Sequence, residues 1–188
     1  MLEDRRRALL PLLEDGDPEI RQAASDALDA LEAAAGIDSL LERLKTGERG
    51  ERIAAAYALE KINLAGVFPA LIEALQSDDP DLRGVVVQVL GRKKHPKTLG
   101  PLVKMLEDPE PGVQVEVIKS LAGFGDRRLP AYLAPLVGAE NDQLALTAIE
   151  ALGTLAFPEG EAPLIAALAD ARPEVRRLAA QMLGKLYL

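Results

Sequence analysis

The chain has 188 residues, 48% of them hydrophobic, and a net charge of −8, which suits one domain or one short repeat array and excludes a disordered chain. With no Cys, no Trp and only 3% aromatic residues, disulfides, thiolate metal sites and cysteine nucleophiles are excluded, and Ala and Leu must supply the core. The acidic balance repels polyphosphate, MLEDRRRALL lacks a signal-peptide h-region, and no apolar run reaches the ~20 residues of a bilayer crossing; a soluble, cytoplasmic protein is expected.

In chain order, the first predicted helix carries the apolar pair Leu9-Leu10 with Leu13 one turn later, a single buried stripe. The acidic turn EDGDP follows. A second helix starts at Pro18, where the missing N–H would have no partner. Asp17 before it is a predicted N-cap, and Glu19 places negative charge in the first turn. This unit then recurs every 31 residues. Leu28 leads to Leu59, Leu90, Leu121, Leu152 and Leu183, and Leu9 to Leu40, Leu71, Leu102, Leu133 and Leu164. A third series is Leu13, Leu44, Leu75, Leu106, Val137 and Leu168. Three registers held without an insertion define six repeats, about 3–34, 35–64, 65–95, 96–127, 128–157 and 158–188, in a single domain over 1–188.

Later repeats vary the same theme. Repeat 3 has Leu71-Ile72, the turn QSDDP and the Asp79-Pro80-Asp81 start; repeat 4 has EDPEP with Pro111; repeat 6 has Leu164-Ile165, then Pro173 and Glu174. Repeats 2 and 5 hold Arg49 and Asp142 where the proline would stand, so their turns are expected to be less rigid. Second helices are built on small residues (RQAASDAL, RIAAAYAL, RRLAAQML), which let neighbouring helices approach closely. One such hairpin cannot bury its apolar face alone, whereas six stacked hairpins can. The predicted fold is all-α, a right-handed α-solenoid of six two-helix repeats.

The stretches LLPLLEDGDPEIRQAASDAL, LIEALQSDDPDLRGVVVQVLG and LIAALADARPEVRRLAAQMLGKL resemble the HEAT repeat, and more closely the short HEAT-like repeats of phycobilin lyases. The shared pattern covers essentially the whole chain. The resemblance implies that the turn acid and the arginine six residues later tie neighbouring repeats, as Asp15 with Arg21 and Asp170 with Arg176. The pairing is partial elsewhere: Ser77 precedes Arg83, Asp108 precedes Gln114 and Thr46 precedes Arg52. With Ala139 and Ala145, repeat 5 should interrupt this ladder.

No chemistry-bearing constellation emerges. His95, the sole histidine, stands in the loop GRKKHPK without a carboxylate cluster at metal-ligand spacing. There is no P-loop, no GxGxxG after a strand, and no Ser nucleophile with a histidine base. Neither a catalytic residue nor a metal or cofactor is expected. Lys93, Lys94 and Lys97 with Arg92 form one basic loop cluster, and Arg127 with Arg128 another. Cations at helix C-termini are what the helix dipole favours; the alternative is a site for phosphate or an acidic partner. Stacking aromatics are absent from both clusters, so nucleic-acid binding ranks last.

The resemblance also implies that second helices line a concave face. Eight residues on from the Pro18 register stand Asp26, Tyr57, Gln88, Lys119, Glu150 and Gln181, a different side chain in nearly every repeat. Adjacent turns add Lys61, Arg92, Glu116 and Thr147. This stripe is either a solvated face or a surface for a protein or peptide, with Tyr57 the best single anchor. The expected function is a non-catalytic interaction scaffold; a bilin lyase or lyase-like chaperone subunit, resting on the resemblance alone, is the alternative. Met182, Leu186, Tyr187 and Leu188 near the C-terminus pair with another chain, continue a longer array, or pack inward.

Overall fold

Each acidic turn followed by proline starts a helix at the expected residue. The computed structural model describes residues 2–186. These contain helices and turns and, among the described residues, no strand. They form two compact units, one ending at Leu59 and one starting at Glu60.

The first unit opens with α1 (Leu2–Leu9), which runs into a 3-10 turn over Leu10–Glu14. The long α2 (Pro18–Thr46) follows, then α3 (Arg49–Glu60). Asp17 caps α2 as expected, its carboxylate accepting from the Glu19 N–H at 2.8 Å. The predicted break between repeats 1 and 2, near residue 34, is absent: α2 runs through it unbroken.

The physical reason lies in one register. At the junctions after repeats 3, 4 and 5 a residue in the left-handed region turns the chain: Lys94 (φ 47°), Gly125 (φ 63°) and Ala156 (φ 51°), spaced 31 apart. Pro96 and Pro158 follow two residues later and prevent helix continuation. The corresponding positions here are Glu32 and Ala34 in ALEAAAG, a stretch of good helix formers with no stop signal. Local propensity therefore continues the helix.

The second unit contains the four helix pairs of repeats 3 to 6. They are α4 (Val67–Ala74) with α5 (Pro80–Lys93), α6 (Leu99–Lys104) with α7 (Pro111–Ala122), α8 (Leu129–Leu133) with α9 (Asp142–Leu155), and α10 (Glu161–Ala167) with α11 (Pro173–Lys185). The second helices stack in series, α5 on α7, α7 on α9 and α9 on α11. Leu90, Leu121 and Leu152 of one register, with Leu71, Leu102, Leu133 and Leu164 of the other, are fully buried between the layers.

Close approach of the second helices requires glycine at two points. A Cβ at Gly91 would lie 2.5 Å from Ser120 Oγ, and one at Gly153 the same distance from Met182 Sδ. Both glycines share one register. Asp79 caps α5 through the Asp81 N–H at 3.0 Å. Repeat 5, which lacks the proline, is capped by Asn141, whose Oδ1 accepts from the Leu144 N–H at 3.1 Å.

Candidate interaction face

The arginines of the repeat turn act differently from the expected acid–arginine pairing. Arg21 Nη1 donates to the backbone carbonyls of Asp15 (2.7 Å) and Gly16 (3.2 Å), and Arg176 Nη1 to those of Asp170 (2.7 Å) and Ala171 (2.8 Å). Arg83 does the same with Ser77, and Gln114 with Asp108, so the residue six earlier contributes its carbonyl whatever its side chain. Arg52 reaches back to the Leu44 carbonyl instead of Thr46. The tie between repeats is a second bond set. Arg83 Nε and Nη2 each donate to the Asp108 carboxylate at 2.8 Å, joining repeat 3 to repeat 4. Burial pushes the Asp108 carboxyl up, but donation from Arg83 and from the Glu110 N–H, with the guanidinium charge, outweighs it and holds the group below the ordinary aspartate value.

The interruption expected at Ala145 is filled from the other side. Arg172 stands where a capping acid stands in repeats 1 and 3, and it donates to the Ala139 carbonyl at 2.8 Å and to Asp142 Oδ1 at 3.0 Å. The same guanidinium holds Asp170 at 2.8 and 2.9 Å. Sequence reading missed this residue; an arginine at an N-cap position was the available signal.

On the second-helix face, three of the expected residues come together. Gln88 Nε2 donates to Glu116 Oε2 at 2.9 Å, and Lys119 Nζ to Glu116 Oε1 at 2.9 Å. They adjoin a groove of about 520 Å³ between α5 and α7, lined by Pro80, Gly84, Val85, Gly112 and Val113 together with the polar Asp81, Gln88, Glu110 and Glu116. Gly84 and Gly112 have no atom within 4 Å of a notional Cβ, which keeps the groove open. Neither glycine was singled out from sequence, although glycine inside a helix costs ~1 kcal/mol against alanine and so calls for a reason.

The remaining stripe residues divide. Glu150 and Gln181 are exposed on α9 and α11, and Lys61 is exposed just after α3. In the first unit Asp26 is exposed and accepts from Gln22 Nε2 at 2.8 Å, and Tyr57 is 42% exposed. Thr147 is a correction. It is only 4% exposed, because its hydroxyl turns back to donate to the Gln143 carbonyl at 2.6 Å while the helix face packs inward. Arg92 makes a bidentate pair with Glu60 at 2.7 and 2.8 Å, and that hydrogen bond first, with the guanidinium charge, lowers the Glu60 pKa.

The basic loops are largely engaged within the chain. Lys93 Nζ donates to the Ile62 carbonyl at 2.6 Å and lies 5.4 Å from the centre of the Phe68 ring. Burial holds its ammonium below the ordinary lysine value, against the pull of Glu60. Arg127 pairs with Glu159 and Arg128 with Asp126, each at 2.7 Å. Of the expected patch, Lys94 and Lys97 are exposed and make no ion pair among the described residues. His95 Nδ1 accepts from the Lys97 N–H at 3.2 Å and its ring stacks on Phe68, 4.2 Å between centroids. Among the described residues no three or more metal-ligating side chains converge, and no helix is long and apolar enough to cross a membrane. Near the C-terminus Met182 is buried and Leu186 half-buried; Tyr187 and Leu188 lie outside the described residues.

The chain matches the HEAT repeats family over residues 68–146 and 131–188, and the PBS lyase HEAT-like repeat over residues 51–77. No match is found among curated proteins. Among solved structures, Escherichia coli YibA is similar with a TM-score of 0.64 at 18% identity, over 97% of this chain and 72% of that one. A designed armadillo repeat protein in complex with the peptide (KR)4 gives a TM-score of 0.62 at 17% identity, over 95% and 98% of the two chains. The CpcE–CpcF complex of phycocyanin lyase from Nostoc sp. PCC7120 gives 0.54 at 22%, over 97% and 77%. At such identities these likenesses establish the fold, an α-solenoid of the HEAT and armadillo type, and nothing finer.

Proposed function

Because this chain belongs to the HEAT repeat family, we propose that it is a non-catalytic scaffold that binds a protein or peptide on the face of its second helices. The observation that carries the reading is the groove between α5 and α7, lined by its two glycines together with Gln88, Glu110, Glu116 and Asp81. The core registers stay leucine from repeat to repeat, with Val137 the exception, while the variable register runs Asp26, Tyr57, Gln88, Lys119, Glu150 and Gln181. Within the second unit, a surface that varies over a constant core suits recognition of an extended partner, one side chain per repeat. The peptide-bound armadillo design and the paired CpcE and CpcF subunits lend support, as solenoids of this class that engage peptide or protein.

The test is affinity capture with the wild-type chain beside a variant carrying Tyr57→Ala and Lys119→Glu. Partners that depend on this face disappear from the variant. Full retention of every partner would sink the reading. A second reading, a subunit of a bilin lyase, is favoured by the match at residues 51–77 and by the CpcE–CpcF likeness. Titration of a free bilin into the protein discriminates: an unchanged absorption spectrum removes it.

A further inference from the structure

Exposure followed along single registers locates a gap in the array. Leu13 is 38% exposed and Leu168 of repeat 6 is 40% exposed, while their equivalents Leu44, Leu75, Leu106 and Val137 are at most 8% exposed. In a second register Leu10 and Ile165 are exposed and the four residues between are half-buried. In a third, Leu28 and Leu183 are half-buried and the four leucines between are fully buried. Repeat 1 thus presents the same open face as repeat 6, on which no other repeat is stacked, although repeat 2 follows it in the chain.

Repeat 2 shows the complementary opening. Leu40 is half-buried where Leu71, Leu102, Leu133 and Leu164 are fully buried. Ala58 is exposed where Val89, Ala151 and Met182 are buried. This last register is one that a preceding repeat covers: Gly91 abuts Ser120, and Gly153 abuts Met182, across consecutive second helices. The same two registers in repeats 1 and 2 are Asp29 and Ala58. One residue departs from the apolar pattern, Glu51 in place of Leu82 or Val113, and its carboxylate accepts from the Glu48 N–H at 3.0 Å.

Two matching faces therefore stand open on one chain, and α2 keeps them apart. It carries the second helix of repeat 1 and the first of repeat 2 on one unbroken rod of 29 residues, about 43 Å long, whose halves cannot fold onto each other. Charge selects the same pairing of faces. Glu60, in the register of Asp29, accepts from Arg92, which lies 32 residues on. The residue 32 on from Asp29 is Lys61, and both are exposed with no ion pair among the described residues.

We propose that a second copy of this chain closes the gap by reciprocal exchange, repeat 1 of each copy stacking on repeat 2 of the other. Exchange of an identical element restores between two chains the contact that the repeat encodes within one, so no new complementarity has to arise. Burial of the leucines left open on both faces drives it. The proposal is independent of what binds the second-helix groove.

Oxidation of the Asp29→Cys, Ala58→Cys double variant tests it, since the chain has no other Cys. The expected product has twice the 20.1 kDa mass, with disulfides that peptide mapping assigns to position 29 of one copy and position 58 of the other. An internal link within a monomer would mean that the chain closes on itself, and two free thiols that the faces stay open; either result overturns the proposal. Sedimentation velocity of the cysteine-free chain reads the same interface. Leu13→Glu should weaken the dimer at least ~100-fold, because the leucine is buried twice per dimer and each burial is worth at least tenfold. Leu168→Glu, in the same register of repeat 6, should leave the dimer as it was. Glu32→Gly with Ala34→Pro, which gives α2 a turn, should return a 20.1 kDa monomer by letting repeat 1 reach its own repeat 2. A wild-type chain that stays at 20.1 kDa up to millimolar concentration, or a dimer indifferent to Leu13→Glu, would also overturn it.

Discussion

Replacing Arg83 by methionine isolates the buried tie between the turns of repeats 3 and 4. The Arg83 side chain is 11% and that of Asp108 2% exposed, with both bridging bonds at 2.8 Å. Methionine keeps the aliphatic stem but leaves the buried carboxylate without its countercharge. Breaking a buried pair in this way costs about 3–5 kcal/mol. Asp108 keeps the Glu110 N–H at 2.9 Å, which argues for the lower end, about 3 kcal/mol and roughly 6–12 °C of melting temperature. Urea denaturation at neutral pH measures it. The double variant Arg83→Met with Asp108→Leu should recover much of the loss, since no charge is then left buried.

The pH dependence carries a sign. In the wild type the folded-state pKa of Asp108 is depressed, so its contribution is present above the ordinary aspartate range and fades as pH falls through the lowered value. Without Arg83, burial is opposed only by the Glu110 N–H, so that pKa rises and protonation relieves the strain. The penalty of Arg83→Met should therefore shrink as pH drops from neutral toward acid. A penalty under about 1 kcal/mol, or one indifferent to pH, would refute a buried charge-assisted tie.

Other expectations follow from single contacts. Gly91→Ala should destabilise by about 1–2 kcal/mol, because its methyl would collide with Ser120, whereas Gly84→Ala in the same helix should stabilise by up to ~1 kcal/mol; chemical denaturation of the pair reads both signs. Asp170 titrates at about 2, held there first by the Arg172 side chain and then by the backbone N–H of residue 172, so its stabilising effect is lost only as pH falls to about 2. In Arg172→Ala the carboxyl should titrate higher, part of the way to ~3.9, by NMR; an unmoved value would show that the guanidinium does not hold it. Glu32→Gly with Ala34→Pro supplies the missing turn signals and should split α2 into two helices, seen as broken NMR secondary shifts over 31–36. If the register argument is wrong, the proline costs the ~3 kcal/mol of any mid-helix proline.

The architecture was legible because it rests on residues that repeat. Helix starts at Pro18, Pro80, Pro111 and Pro173 need only a local proline and a preceding turn, and the structure places them there. The leucine registers are buried in the second unit through repeat 5, because stacking demands apolar volume at each step, while in repeat 6 Leu164 is buried, Leu183 half-buried and Leu168 exposed. What escaped depends on side-chain direction. Nothing in the spacing of Asp170 and Arg176 reveals that a carbonyl accepts, nor that Arg172 spans the gap at Ala145. Thr147 sits in a register that is half-exposed in repeats 3, 4 and 6, and only its bond to Gln143 shows it turning inward. The helix break near residue 34 failed because a period fixes where a junction should fall, while local propensity decides whether the chain turns.

The loop cations bear on which surface is open to a partner. Arg92, Arg127, Arg128 and Arg172 are all fixed to acids of the same chain, and Lys93 to a carbonyl, so the loop edges spend most of their polarity internally. The cluster Gln88, Glu116 and Lys119 differs in kind: the Lys119 pair is a single exposed contact three residues apart on one helix. Such pairs contribute only a few tenths of a kcal/mol and exchange readily with solvent. A partner cation arriving in the groove therefore displaces Lys119 from Glu116 at little cost, while Gln88 keeps the carboxylate oriented. At the loop edges Lys94 and Lys97 are open, whereas a ligand for Arg92 or Arg128 must first break a bidentate pair. Displacing Lys119 from Glu116 therefore costs less than displacing Arg92 from Glu60 or Arg128 from Asp126, since bidentate charge-assisted pairs are the stronger ones.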